Sequence, residues 1–228
     1  DKLVGGPGTN LLDGGNDDDN LTGGPDDDVV DTGDGSNDVY AGGGDNRITA
    51  GPGNDFIDAA GGDDFIEAGG GSNDVYAGDG DNTITTGSGN DFIDTAGGDD
   101  LIEVGGGSND VYAGGGRNDI TSRSGNDFID TGDGDDLIDS GGGSNDVYSG
   151  DGRDTVVTGG ANDFIDTSGG HDVVKSSNGS DDLYGGGGND RLFGGAGTDF
   201  IDGGGGRDEI HGGGGNDDCY DGEKTNSC

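Results

Sequence analysis

Every ninth residue from Leu3 to Cys228 is aliphatic or cysteine, 26 times in succession without a slip of register. The column begins Leu3, Leu12, Leu21, Val30, Val39, Ile48 and ends Ile201, Ile210, Cys219, Cys228. A strict period over the whole length means one small supersecondary unit repeated end to end. Such a unit cannot bury its apolar face alone and depends on its neighbours for a core.

Composition makes that dependence acute. Of 228 residues 60 are Gly, only 25% are hydrophobic, and the formal net charge is −41. An ordinary chain of this kind stays disordered, because so little apolar surface cannot offset the entropy of ordering. Glycine makes the deficit larger, since it loses the most freedom. The regular placement of the apolar residues therefore calls for a second source of stability, and that source must be cationic. With 50 acidic and 9 basic residues, nucleic acid is not an expected partner. No run of 18 apolar residues occurs, so no membrane insertion is expected. The start at Asp1, without Met or signal peptide, reads as a processed chain or a segment of a larger secreted protein.

With the aliphatic residue numbered position 8, 24 complete nonapeptides run from Gly5 to Tyr220. Position 4 is Gly except at Asp17, Asp26 and Ala161, and position 2 is mostly Gly. Position 6 is always Asp or Asn: Asn10, Asp19, Asp28, Asn37, Asn46, Asp55, Asp64, Asn73, Asn82, Asp91, Asp100, Asn109, Asn118, Asp127, Asp136, Asn145, Asp154, Asp163, Asp172, Asp181, Asp190, Asp199, Asp208 and Asp217. Each unit thus reads as a six-residue Gly-rich turn followed by a three-residue strand. Strand side chains alternate, so position 8 faces inward and positions 7 and 9 face solvent. Calcium takes six to eight oxygen ligands, and a Gly-rich loop carrying a carboxylate offers carbonyl and carboxylate oxygens together. The position-6 residues are the candidate side-chain ligands.

Units such as Gly186-Gly187-Gly188-Asn189-Asp190-Arg191-Leu192 and Gly213-Gly214-Gly215-Asn216-Asp217 resemble the G-G-x-G-x-D-x-U-x nonapeptide of RTX (haemolysin-type) calcium-binding repeats. The resemblance covers essentially the whole chain. It implies an all-β, right-handed parallel β-roll of about 13 turns, two nonapeptides per turn, no helices, and Ca²⁺ between stacked turns. Two loop edges with 11 gaps each then offer roughly 22 sites, about +44 of charge against −41. Between about residues 10 and 145 Asp and Asn alternate along each edge, so each ion there meets one of each, with less carboxylate repulsion and weaker binding.

A 36-residue repeat lies over the nine: Gly-Ser-Asn-Asp-Val-Tyr recurs at 35–40, 71–76, 107–112 and 143–148. Tyr40, Tyr76, Tyr112, Tyr148, Tyr184 and Tyr220 sit at position 9, while Phe56, Phe92, Phe128, Phe164 and Phe200 sit at position 7 of the intervening turns. These rings and the Asp residues between them form a checkerboard on one outer face, with rings in a column roughly 9.6 Å apart. The face reads equally as a binding surface, for extracellular polysaccharide or a second copy, and as a cross-strand brace.

On two units per turn, Cys219 and Cys228 occupy opposed inward slots of one final coil. A disulfide between them across the core is expected, and with it a secreted, extracellular or cell-surface setting. His171 and His211 have no nucleophile organised beside them, and the many Asp pairs carry no specificity, so no enzyme is expected. The whole chain, 1–228, reads as one calcium-folded structural unit. Its expected role is in an extracellular filament, surface layer or matrix by end-to-end stacking, with an adhesive carbohydrate-binding module as the alternative.

Overall fold

A computed structural model describes residues 1–222, 224–226 and 228. Among these residues every regular element is a strand, and the strands stack in parallel as a solenoid of about 12 turns, a β-roll. The chain divides into two compact units, Asp1–Gly114 and Gly115–Cys228. In the first, Lys2–Val4, Asn20–Gly24, Asp38–Gly42, Phe56–Asp58, Asp74–Tyr76, Phe92–Asp94 and Asp110–Tyr112 pair in that order. Leu11–Asp13, Val29–Asp31, Arg47–Thr49, Phe65–Gly69, Thr83–Thr86 and Leu101–Glu103 form the opposing sheet. The second unit repeats the arrangement, from Phe128–Asp130 to Asp218–Tyr220 in one sheet and from Asp119–Thr121 to Lys224–Asn226 in the other. Partners are 18 residues apart, as in Ile57↔Val75 and Ile165↔Leu183, so two nonapeptides make one turn.

The strands are as short as the sequence predicts, and the middle residue faces inward. From Leu12 to Ile210 every position-8 side chain is buried. Each contributes about 1.5–3 kcal/mol by leaving water. Two further columns also point inward. Position 6 is one of them. Position 1 is the other: Ala41, Ala59, Thr95, Val104, Ser140 and Thr167 are fully or almost fully buried. Three thin columns, only one of them aliphatic, fill the space between the sheets.

The turns tolerate few side chains at positions 2 and 4. At Gly188 (position 4, φ +147°) a Cβ would lie 1.5 Å from the carbonyl oxygen of Gly170 one turn below, so no larger residue fits there. At three of the five positions 2 that are not Gly, the preceding position-9 Asp supports a left-handed backbone. Asp58, Asp94 and Asp166 accept the N–H of Ala60 (φ 67°), Ala96 (φ 55°) and Ser168 (φ 53°).

The last coil departs from the beat. Lys224–Asn226 pairs with Glu209–His211, which sets Thr225 beside Ile210, a step of 15 residues instead of 18. The disulfide between Cys219 and Cys228 is present, with Cα atoms 5.9 Å apart. Cys219 keeps its inward slot beside Ile201, but Cys228 lies past the strand and is exposed, so the bond does not join two opposed inward slots. The strand register here follows backbone pairing, and the cysteine is placed by its bond.

On the outer face the rings are closer than a column spacing implies. Tyr and Phe of adjacent strands meet diagonally, with centroids 5.5 Å apart for Tyr40–Phe56, 5.6 Å for Phe56–Tyr76 and 5.3 Å for Tyr76–Phe92. In the second unit Phe128–Tyr148, Tyr148–Phe164, Phe164–Tyr184, Tyr184–Phe200 and Phe200–Tyr220 repeat this at 5.3–5.6 Å. Tilted rings at this distance attract one another. The zigzag braces successive strands, as cross-strand pairs do.

Candidate metal centre

The position-6 side chains line the inside of each loop edge. Those from Asp19 to Asp208 are buried, and Asn10 and Asp217 are half-buried. Every turn uses one oxygen in the same way: Oδ1 accepts the backbone N–H of the position-6 residue one turn earlier. The distances are 2.9 Å for Asp19→Asn37, 2.8 Å for Asn37→Asp55 and 3.0 Å for Asp55→Asn73. In the second unit Asp154→Asp172, Asp172→Asp190 and Asp190→Asp208 give 2.9–3.0 Å. A second ladder, not foreseen from the sequence, runs along position 5 in the opposite sense. Asp45 Oδ1 accepts the N–H of Asp63, Asp63 that of Asp81, and Asn54 that of Ser72. It is exposed and accepts hydroxyl, amide, carboxylate and imidazole groups alike, so no residue type marks it.

The other oxygen of each buried Asp is the distinctive feature. The Oδ2 atoms of Asp19, Asp28, Asp55 and Asp64 are buried with no hydrogen-bond donor. So are those of Asp190, Asp199, Asp208 and Asp217. Native proteins pair nearly all such atoms, and each exception needs a cause. Burial pushes the Asp64 and Asp190 carboxyls up to about 6 and Asp154 up to about 7, partly offset by the N–H that each Oδ1 accepts. Asp136 and Asp172 raise Asp154 further, and Asp172 and Asp208 raise Asp190. The direction is the same, and again from burial first, at Asp55, Asp91, Asp163, Asp181 and Asp199.

The Asn loops show what surrounds that atom. Asn46 Nδ2 donates to the carbonyls of Gly42 (3.2 Å) and Gly44 (2.9 Å), positions 2 and 4 of its own loop. Asn82 does the same with Gly78 (3.4 Å) and Gly80 (2.8 Å). Because Oδ1 is fixed by the backbone N–H in Asp and Asn alike, the Oδ2 of an Asp falls where Nδ2 falls in an Asn. A carboxylate oxygen there faces carbonyl oxygens, acceptor against acceptors. A hard cation resolves that arrangement, and calcium accepts this mixture of carboxylate and carbonyl oxygens. At Gly194 the place of a missing Cβ lies 2.5 Å from Asp199 Oδ2 and 2.7 Å from the Gly212 carbonyl oxygen, a small cradle walled by acceptors. The residues present therefore fit calcium.

Among the described residues no group of three or more His, Cys, Asp or Glu forms a metal cage, in keeping with a donor set made mainly of carbonyls. Position-1 hydroxyls, which sequence periodicity could not mark, hydrogen-bond to the position-6 Asp in several loops, from Thr86, Thr131, Thr158, Thr167 and Ser176 to Asp91, Asp136, Asp163, Asp172 and Asp181. Ser122 donates to Asp127 Oδ2 at 2.5 Å, and Ser149 donates to Asp154 Oδ2 at 2.7 Å.

Fold and loops together define a calcium-binding parallel β-roll built from nonapeptides. The sequence model of the RTX calcium-binding nonapeptide repeat matches residues 4–39, 31–66, 40–75, 67–102, 76–111, 112–147, 148–183, 176–210 and 184–219. The chain belongs to this family. No curated protein sequence matches it.

Proposed function

We propose that this chain is an extracellular structural protein whose β-roll is folded and stiffened by Ca²⁺ between successive turns. The buried Oδ2 atoms that face no donor, as at Asp64, Asp190, Asp199 and Asp208, carry this reading. The position-6 Asp side chains and the carbonyls at positions 2 and 4 would hold the ions. Bound calcium supplies positive charge that cross-links one turn to the next and offsets the −41 of the chain. Position 8 then needs to provide only a thin core.

The Cys219–Cys228 bond supports an oxidising, extracellular setting. A regular stack with its side chains spent on bracing suits a scaffold role, as a building block of a filament, surface layer or matrix. The ring zigzag supports that role too, because its contacts are internal to the sheet.

Circular dichroism at neutral pH tests the calcium reading: strand structure should be lost in chelator and return with millimolar Ca²⁺. A chain equally folded in chelator would overturn it. Electron micrographs in calcium test the scaffold role, with ordered fibres or sheets expected and isolated monomers at all concentrations counting against it.

A further inference from the structure

We infer that the eight Asn loops dispense with calcium, their amide groups standing in for the ion, so that calcium concentrates in the Asp-only run from Asp154 to Asp217. This rests on the calcium reading above and concerns how the ions are distributed.

Three observations carry it. First, the position-4 carbonyl that needs a cation in an Asp loop already has a donor in each Asn loop. Asn37 reaches Gly35 at 3.1 Å, Asn73 reaches Gly71 at 3.3 Å, and Asn145 reaches Gly143 at 3.1 Å. Second, the amide also reaches across the gap. Asn37 Nδ2 donates to Asp55 Oδ1 and Asn73 Nδ2 to Asp91 Oδ1, both at 3.0 Å, which supplies positive character where an ion between turns would sit. Third, the last loops differ from the middle ones at position 1. Gly185, Gly194 and Gly203 leave cradles open beside Asp190, Asp199 and Asp208 Oδ2. From Thr32 to Ser176 position 1 carries a Cβ, and in places a hydroxyl, that fills this space, while Gly14 and Gly23 leave it open beside Asp19 and Asp28.

Charge density points the same way. From Asp154 onward each gap is lined by two carboxylates, which bind calcium more tightly than a carboxylate and an amide. In residues 32–114 five of the nine position-6 residues are Asn, and their amides fill the donor role from within. On this inference the array is graded, sparse where Asn alternates with Asp and dense where Asp follows Asp, where an ion in every gap would be uniform.

Hydrogen exchange of the full chain across a calcium titration, with native mass spectrometry to count bound ions, tests this. Peptides from 154–217 should gain protection at calcium about tenfold lower than peptides from 32–114. The Asn46→Asp/Asn82→Asp variant should bind about two more ions than the parent. The reverse variant, Asp172→Asn/Asp190→Asn, should bind fewer ions while its loops hold some protection in chelator, and it decides the matter if the first variant does not fold. Coincident titration of both segments, with ion counts unmoved by either variant, would overturn the inference and leave the calcium reading intact. No bound ions and no calcium-dependent protection anywhere would overturn both.

Discussion

Acid should do for the calcium-free chain what calcium does at neutral pH. In the second unit the Oδ2 atoms of Asp190, Asp199, Asp208 and Asp217 are buried without a donor. An unmet buried polar group costs about 1–3 kcal/mol and an ionised one more, so these four together cost from about 4 to more than about 12 kcal/mol. A whole domain is stable by only about 5–15 kcal/mol. Without calcium the ionised unit should therefore not stay folded. Burial raises the carboxyls of Asp199, Asp190 and Asp154 from 3.8, to about 6 at Asp190 and about 7 at Asp154. A folded-state value above the unfolded one means that the folded chain holds protons more tightly. Its stabilising contribution is complete below 3.8 and disappears as pH rises through about 6 to 7. The perturbation is a shift from about pH 8 to about pH 5 in chelator, still above the sequence pI of 4.1. Far-UV circular dichroism should show strand structure at the lower pH and its loss at the higher. Strand content in chelator that is flat across this range, or that falls on acidification, would refute the assignment of cost to the buried carboxylates.

Three further outcomes follow from packing. Gly188→Ala should abolish or sharply weaken the calcium-loaded fold, whereas Gly187→Ala, whose Cβ would meet nothing within 4 Å, should leave its melting temperature nearly unchanged. A double-mutant cycle on Tyr148 and Phe164, 5.4 Å apart, should give a coupling of about 0.5–1.5 kcal/mol in chemical unfolding with calcium present. No measurable coupling would remove the bracing role. Reducing Cys219–Cys228 should raise hydrogen exchange in the last coil while leaving residues 120–200 protected, and global unfolding would contradict a local clasp.

Of the three inward columns, position 8 could be read from the residues as inward, and position 6 as a ligand column but not as a buried one. Position 8 announces itself because burial selects aliphatic side chains, and position 6 because its loop role accepts only Asp or Asn. Position 1 stayed hidden because backbone path, not hydrophobicity, buries it; Ala59, Thr95, Val104 and Ser140 share only modest size. The position-5 ladder was equally silent, since any side-chain acceptor can take the neighbouring N–H, from Ser36 to His171. The cross-strand brace was one of two readings of the rings, but its diagonal form was not, because Tyr40 and Phe56 lie in different columns. The final register misled because Cys228 falls on the beat while Thr225 takes the strand. The division of labour between Asp and Asn needed the structure most. In sequence the two look interchangeable, and only the fixed Oδ1 reveals that one presents a donor where the other presents a charge.

Calcium anomalous scattering from crystals grown in Ca²⁺ tests the central claim most directly. Peaks should lie within ligand distance of the Oδ2 atoms of Asp172, Asp190 and Asp208, repeated from turn to turn. A well-ordered chain with no peak at those oxygens would contradict it.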